Sequence, residues 1–277
     1  MATIIDQMTE IYCFVDDYLK AHSGLAHWRR SPNQQPLFTD AEVITIALMQ
    51  GCFGVATLKK AYLLTAFNQG LAFPMLCSYK QWIARLHALS DITGHLCESA
   101  RNCDGFEVNL SIYDSKPIPV CCPIRHGRVR LLREEGAYFG KTSKGWFFGF
   151  KLHASINING HFIGGLLTSG NTGDREAALA LAHMADGGVA LADYGYRGKN
   201  IAQELADESE TLLITTFDAG EKRALISSLR ERVETFFSQL WSMFVDQVYS
   251  RSWQGLWSTI KLKLLNYNLR HSGILST

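Results

Sequence analysis

The stretch FEVNLSIYD, residues 106–114, marks the point at which the pattern of the sequence changes. Before it, up to about residue 104, apolar residues recur at the three-to-four spacing of amphipathic helices. After it, short runs rich in β-branched and aromatic residues alternate with helical segments. The strand-like runs cover residues 106–114, 145–156, 161–169, 189–193 and 211–217. The sequence therefore predicts a helical first part followed by a region that contains a sheet.

The order of the predicted elements indicates the topology of that sheet. Three strands that can form an antiparallel meander are followed by helix, strand, helix, strand and a long final helix. Strands joined through crossover helices lie parallel, so we expect a mixed sheet with helices on both faces. This is the element order of the ribonuclease H-like fold. We predict an α/β protein: a ribonuclease H-like mixed five-stranded sheet flanked by helices at residues 105–277, preceded by an all-α N-terminal domain at residues 1–104.

The composition limits the classes of protein to which the chain can belong. Of its 277 residues 47% are hydrophobic, and the formal net charge is +1. No apolar run is long enough to span a membrane, and acidic side chains near the N-terminus argue against a signal peptide. The seven cysteines include no CxxC pair, which favours reduced thiols over a zinc site or disulfides. We expect a soluble cytoplasmic protein with no membrane partner.

Two predicted strands end in aspartate, NLSIYD in Asp114 and VALAD in Asp193. In the predicted fold these strands are neighbours, so the two carboxylates repel each other unless they share a proton or a cation. Mg²⁺ binds one or two carboxylates and leaves its other positions to water and phosphate oxygens. Each aspartate alone is equally compatible with a turn in which it accepts hydrogen bonds from backbone N–H groups. Together they indicate a metal site suited to phosphoryl transfer.

A third carboxylate is expected from the final helix, where Glu234 flanks the predicted buried stripe. Two other interpretations stay open for this helix. In one, Glu234 is a solvated residue that pairs with Arg230; in the other, Glu231 takes its place at the site. Asp174 comes just before a predicted helix, which favours the role of an N-cap.

Several stretches resemble the DDE transposases of bacterial insertion sequences, in the group with a short catalytic domain and no large insertion. The matching stretches are IYDSKPIPV around Asp114, KGWFFGFKLHASINING, LLTSGNTGDREAAL, ALADYGYRGKN around Asp193 and RERVETFFSQL around Glu234. The resemblance implies that Asp114, Asp193 and Glu234 are the three catalytic, metal-binding carboxylates. It also implies two Mg²⁺ ions as cofactors, for which Mn²⁺ substitutes.

The resemblance implies an activity as well. A transposase of this kind is an endonuclease and strand transferase, which cuts double-stranded DNA at the terminal inverted repeats of an insertion sequence. It then joins the 3′ ends to target DNA by two-metal phosphoryl transfer. The N-terminal helices would help to recognise the repeats, and the protein would act on DNA as a homodimer or larger assembly, associated with the bacterial nucleoid.

Two alternatives to this activity stay open. One is a catalytically inactive, transposase-derived DNA-binding protein, and the other is a ribonuclease H-like nuclease without strand transfer. Ser227 and Trp241 keep the first alternative open, because related enzymes often have tyrosine and lysine at these places. Arg230, four residues before Glu234, is retained.

The long connection between the first two predicted strands is rich in arginine and lysine, although the whole chain is nearly neutral. Such a loop neutralises phosphates locally, and we expect it beside the metal site; a plain solvated loop is the alternative. Further basic residues follow Asp193 or lie on the glutamate helix. The predicted DNA-binding residues are Arg125, Arg128, Arg130, Lys141, Lys144, Arg197, Lys199 and Arg230.

Overall fold

The computed structural model describes residues 2–26, 36–102, 109–217, 220 and 223–276. The chain divides into two compact units, of which the first contains Met1–Asp104 with Gln254–Thr277 and the second contains Gly105–Trp253. The predicted boundary between residues 104 and 105 lies outside the described residues. Among the described helices, none is both long and apolar enough to cross a membrane.

The first unit is built from helices whose starts are fixed by side-chain caps. Thr39 and Ser78 each accept a hydrogen bond from the backbone N–H three residues later, and the side chain at that later position accepts one from the N–H of the cap. This reciprocal pair satisfies N–H groups that have no partner inside the helix. The helices are α1 (Ile4–Ala21), α2 (Asp40–Cys52), α3 (Leu58–Asn68), α4 (Tyr79–Ala88), α5 (Ser90–Asn102) and the C-terminal α9 (Trp253–His271).

Helix α9 packs with the N-terminal helices, whereas the sequence groups it with the sheet-containing region. Two buried amides account for its position. Asn266 Nδ2 donates to the carbonyl of Leu48 at 3.0 Å, and Asn268 Nδ2 donates to the carbonyl of Cys97 at 3.2 Å. A buried amide needs such partners, and these lie on α2 and α5. The bonded residues are 218 and 171 positions apart, so no local sequence pattern predicts these two hydrogen bonds.

The described part of the second unit contains a sheet of six strands. They are β1 (Leu110–Cys121), β2 (Tyr138–Thr142), β3 (Gly145–Asn157), β4 (Phe162–Ser169), β5 (Gly188–Ala192) and β6 (Thr211–Thr215). The strand order is β2-β3-β1-β5-β6, and β4 also pairs with β3. β1 runs antiparallel to β3 and parallel to β5, and β5 runs parallel to β6. The predicted ribonuclease H-like α/β fold is confirmed.

Strand β2 is an addition that the sequence did not predict. β2 pairs with residues 145–149 of β3, and β4 pairs with residues 150–156 of the same strand. Both therefore share one edge of β3, and the sheet stays five strands wide. The sequence of β2, YFGKT, does not alternate apolar and polar residues and contains glycine and lysine, so its pattern does not indicate a strand.

Strand β1 continues to Cys121, whereas the sequence predicted that it ends at Asp114. Its pairing with β5 stops at Ile112, so from there on the described strands pair with β1 only along its β3 edge. An edge strand tolerates proline, because on the unpaired edge no neighbouring strand needs a hydrogen bond from the missing N–H. Pro117 and Pro119 therefore lie inside the strand and do not terminate it.

Three helices flank the sheet: α6 (Asp174–Ala185), α7 (Lys199–Ser209) and α8 (Arg223–Ser242). Successive side chains of a strand point to opposite faces. Tyr113 packs in a buried cluster with Leu181 of α6 and Leu205 of α7. Lys116 lies on the other face, where its Nζ is 5.8 Å from the ring centroid of Phe237 of α8. Asp114 therefore faces α8.

Candidate active site

Asp114 and Asp193 come together where strands β1 and β5 part. The two strands run parallel, and their last paired residues are Ile112 and Leu191. Asp114 and Asp193 each follow two residues later, so they lie side by side at the same level of the sheet. The charge of Asp193 also acts on the carboxyl of Asp114. The structure thus brings together the two aspartates that the sequence paired.

Each of these aspartates also accepts a hydrogen bond from a backbone N–H that follows it closely in the chain. Asp193 Oδ1 accepts a hydrogen bond from the N–H of Gly195 at 2.8 Å and begins the short 3₁₀ turn Tyr194–Tyr196. Asp114 Oδ1 accepts one from the N–H of Ser115 at 2.8 Å. Within the described chain, the second oxygen of each carboxylate has no hydrogen bond. The turn-forming and metal-binding interpretations are therefore compatible, since each uses a different oxygen.

Asp174 is a further acidic side chain near this pair, and the sequence did not assign it to the site. A Cβ atom on Gly195 would lie 2.8 Å from Asp174 Oδ2 and 2.9 Å from Asp193 Oδ1. A larger residue at this position would therefore displace one or both carboxylates. The predicted N-cap role of Asp174 is wrong, because the cap residue is Gly173 and Asp174 is the first residue of α6.

The carboxylate of Asp174 is held by neighbours from two strands. Its Oδ1 accepts hydrogen bonds from Ser115 Oγ at 2.7 Å and from Lys151 Nζ at 3.3 Å. His153 Nδ1 lies 3.7 Å from the same oxygen. Burial lowers the pKa of His153, so the ring is neutral at pH 7 and makes no ion pair with Asp174; its Nε2 instead contacts Thr168 Oγ1 at 2.9 Å.

Among the described carboxyls, that of Asp114 has the most clearly perturbed ionisation. Burial raises the pKa of Asp114 to about 6, and the neighbouring Asp193 raises it as well. The N–H of Ser115 and the charges of Arg230 and Lys116 lower it. The protein therefore places a carboxylate where its charged form is disfavoured, and a bound cation would relieve this cost.

We expect Asp114→Asn to stabilise the metal-free protein at neutral pH. The folded-state pKa of about 6 lies above the ordinary value of 3.8, so the folded protein loses stability as the pH rises through this interval. At every pH above this interval, the full loss of folding stability caused by the charged carboxylate remains. Asparagine keeps an acceptor for Ser115 and removes the charge, which should raise the free energy of unfolding at pH 7.5 by about 2–3 kcal/mol.

Urea unfolding in EDTA at pH 4 and pH 7.5 measures this effect. The advantage of Asp114→Asn over the wild-type protein should be small at pH 4, where the wild-type carboxyl is already protonated in the folded state. An advantage of equal size at both pH values would show that the charge of Asp114 is not its cause.

Glu234 and Arg230 lie on α8, which packs against β1 and β5. Arg230 is close enough to Asp114 for its charge to lower the pKa of that carboxyl. Glu234 follows one turn later, with an exposed side chain directly after the fully buried Val233. Among the described residues, no group of three or more His, Cys, Asp or Glu side chains is close enough to hold a metal ion. The role of Glu234 therefore stays a prediction.

The predicted DNA-binding residues fall into two groups. Arg197 and Lys199 follow the turn after Asp193, and Arg230 is near Asp114. The other group begins beyond Cys121, roughly 20 Å along β1 from Asp114. The basic loop was expected directly beside the metal site, and this is wrong because β1 continues past Asp114. The distant group comprises Arg125, Arg128, Arg130, Lys141 and Lys144, which are all exposed.

Comparison with models of protein families gives a match over residues 104–243 to the family described as "Transposase DDE domain". The chain belongs to this family. The match includes Asp114, Asp193 and Glu234, and it confirms the resemblance of the sequence to DDE transposases. No curated protein and no solved structure matches the chain. Membership of the family indicates a transposase, and a transposase binds DNA.

DDE domains generally use divalent metal ions, and the residues present fit such an ion. Asp114 and Asp193 each have a carboxylate oxygen that the backbone turns do not use, and Mg²⁺ prefers oxygen ligands. The fully buried hydroxyl of Tyr196 has no hydrogen-bond partner among the described residues. Burial raises the pKa of Tyr196, and Asp174, Asp114 and Asp193 raise it further. The negative charge that surrounds this hydroxyl would be balanced by a divalent cation bound to Asp114 and Asp193.

Proposed function

We propose that the protein is an active DDE transposase that cuts DNA at the terminal inverted repeats of an insertion sequence and joins the 3′ ends to target DNA. The observation that carries this proposal is that Asp114 and Asp193 lie side by side, two residues beyond the last paired residues of the parallel strands β1 and β5. A family match that includes both residues supports it. Glu234 is proposed as the third carboxylate of the site.

In this proposal the chain's own residues bind and orient the substrate. Asp114, Asp193 and Glu234 would hold two Mg²⁺ ions, or Mn²⁺ in their place. When bound, such ions activate the attacking oxygen and stabilise the leaving 3′ oxygen of an in-line displacement. The guanidinium of Arg230 binds an oxygen of the scissile phosphate through charge-assisted hydrogen bonds and orients it towards the aspartates.

The two groups of basic residues would hold the DNA at two places. Arg197 and Lys199 contact phosphates beside the cut, and the distant group contacts the backbone roughly 20 Å away, which is about six base pairs along the duplex. The helical first unit is proposed to recognise the terminal repeats. A homodimer or larger assembly on DNA would bring two ends together in the bacterial cytoplasm.

Nicking of supercoiled plasmid by the purified protein in Mg²⁺, Mn²⁺ or EDTA tests this function. We expect nicks with either metal and none in EDTA. A second assay supplies precut DNA with free 3′ hydroxyl ends and measures joining to the plasmid. Cutting without joining would favour a ribonuclease H-like nuclease, and binding with neither reaction would favour a catalytically inactive DNA-binding protein.

A further inference from the structure

Two exposed aromatic side chains and one half-buried arginine lie together next to Asp193. Tyr194 and Phe217 are 59% and 58% exposed, although both are large aromatic residues. The guanidinium of Arg197 lies against both rings, with its Cζ atom 3.8 Å from the ring centroid of Phe217 and 5.8 Å from that of Tyr194. We refer to Tyr194, Arg197 and Phe217 as the stacking cluster. It presents two aromatic rings to solvent, with the half-buried guanidinium of Arg197 against them.

The sheet fixes the position of the stacking cluster. Strands β5 and β6 are paired in parallel as far as Ala192 and Thr215, and the N–H of Thr216 then donates to the carbonyl of Ala192 at 3.2 Å. Tyr194 and Phe217 each follow two residues after the last pair. They are therefore neighbours, with ring centroids 6.0 Å apart at an interplanar angle of 65°. The stacking cluster is held at the strand ends, one residue beyond Asp193.

The turn that carries Tyr194 is fixed by contacts of the residues on either side of Tyr194. Tyr196 is fully buried and packs with Tyr113 of β1, at a ring-centroid distance of 6.2 Å. Asp193 Oδ1 accepts the hydrogen bond from Gly195 that closes the turn. Because both ends of the three-residue turn are held, Tyr194 projects outward from a fixed backbone.

We infer that the stacking cluster binds an unpaired nucleobase of DNA beside the site of cutting. The inference rests on the proposed function, since that function makes DNA the substrate at Asp193. Aromatic rings and guanidinium planes stack on any base, because every base has a π face. The charge of Arg197 complements the adjoining phosphates. A fully paired duplex offers no free base face, so the stacking cluster binds a strand that is opened next to the scissile phosphate.

Single-strand binding in the absence of metal tests this inference on the full-length protein. The probes are fluorescein-labelled (dT)20 and a 20-base-pair duplex of arbitrary sequence, both titrated in EDTA and followed by fluorescence anisotropy. The variant is the double substitution Tyr194→Leu with Phe217→Leu, which keeps apolar bulk and removes the aromatic faces. We expect affinity for (dT)20 to fall roughly 5- to 100-fold, and affinity for the duplex to change by less than about threefold.

Two controls separate stacking from general effects. Tyr249→Leu alters an aromatic residue of the same unit that is 62% exposed, and it should leave (dT)20 binding unchanged. Phe217→Trp keeps an aromatic face and should bind (dT)20 as well as the wild-type protein does. The melting temperature of each variant checks that it is folded. Because both replaced side chains are exposed, we expect the substitutions to change stability little.

Several outcomes would overturn the inference. One is (dT)20 binding by the double variant that equals wild-type binding, including the case in which neither protein binds. Another is an equal loss for single strand and duplex, which would assign the residues to phosphate contact. A loss of self-association in sedimentation would instead make the stacking cluster an interface between two copies of the chain. These readouts need no cleavage, so failure of the proposed transposase activity would be seen separately, in the plasmid assay.

Discussion

Asp193→Asn is expected to abolish metal-dependent cleavage, with a rate at least roughly a thousandfold below that of the wild-type protein. The substitution is nearly isosteric and keeps an oxygen that can accept the 2.8 Å hydrogen bond from Gly195. The 3₁₀ turn, the stacking cluster and the fold should therefore be retained. What is lost is a negative charge beside Asp114, which a divalent cation requires. Single-turnover nicking of supercoiled plasmid in Mg²⁺ measures the loss.

A matched control for this substitution is Asp186→Asn. Asp186 is exposed at the end of α6 and has a left-handed backbone with φ of 59°, a conformation that asparagine tolerates well. This variant should cut plasmid at the wild-type rate. DNA binding in EDTA should be unchanged in both variants. Cleavage by Asp193→Asn within a few fold of wild type would remove Asp193 from the catalytic site.

The pairing of Asp114 with Asp193 was predictable because it depends on strand identity and order alone. VALAD is short, apolar and follows a helix, so its end could be read from the sequence to within one residue of the observed β5. Once the two strands are parallel neighbours, the position of each aspartate relative to its strand decides that they meet. The fold order and the helix bounds of α6 follow from the same local periodicity.

Other features depend on contacts that no local pattern contains. β1 continues through two prolines because its edge beyond Ile112 lacks a strand partner among the described elements, and that edge exists only in the folded sheet. The basic loop lies farther from Asp114 for the same reason. Asp174 looks like a helix cap in the sequence, and its bond to Ser115 spans 59 positions. The sequence therefore predicts the aspartate pair, whereas much of its surroundings depends on contacts that exist only in the folded sheet.

Glu234→Gln is expected to reduce cleavage as severely as Asp193→Asn, by roughly a thousandfold. Glu234 lies one turn beyond Arg230, whose charge acts on Asp114, and it follows Val233, which is fully buried. It therefore flanks the face of α8 that packs on the sheet beside the aspartates. Glutamine has nearly the same helix propensity as glutamate, so an exposed exchange should change the free energy of unfolding by less than about 0.5 kcal/mol. The same single-turnover assay in Mg²⁺ measures the loss.

The matched control is Glu231→Gln, which makes the same chemical change three residues earlier on α8. Glu231 is also exposed, so a general effect of removing charge from this helix would appear in both variants. We expect Glu231→Gln to cut at the wild-type rate. Loss of cleavage in Glu231→Gln alone would make Glu231 the third carboxylate. Wild-type cleavage in both variants would direct attention to Asp174, because its Oδ2 already lies beside Gly195 and Asp193 while Ser115 and Lys151 hold its Oδ1.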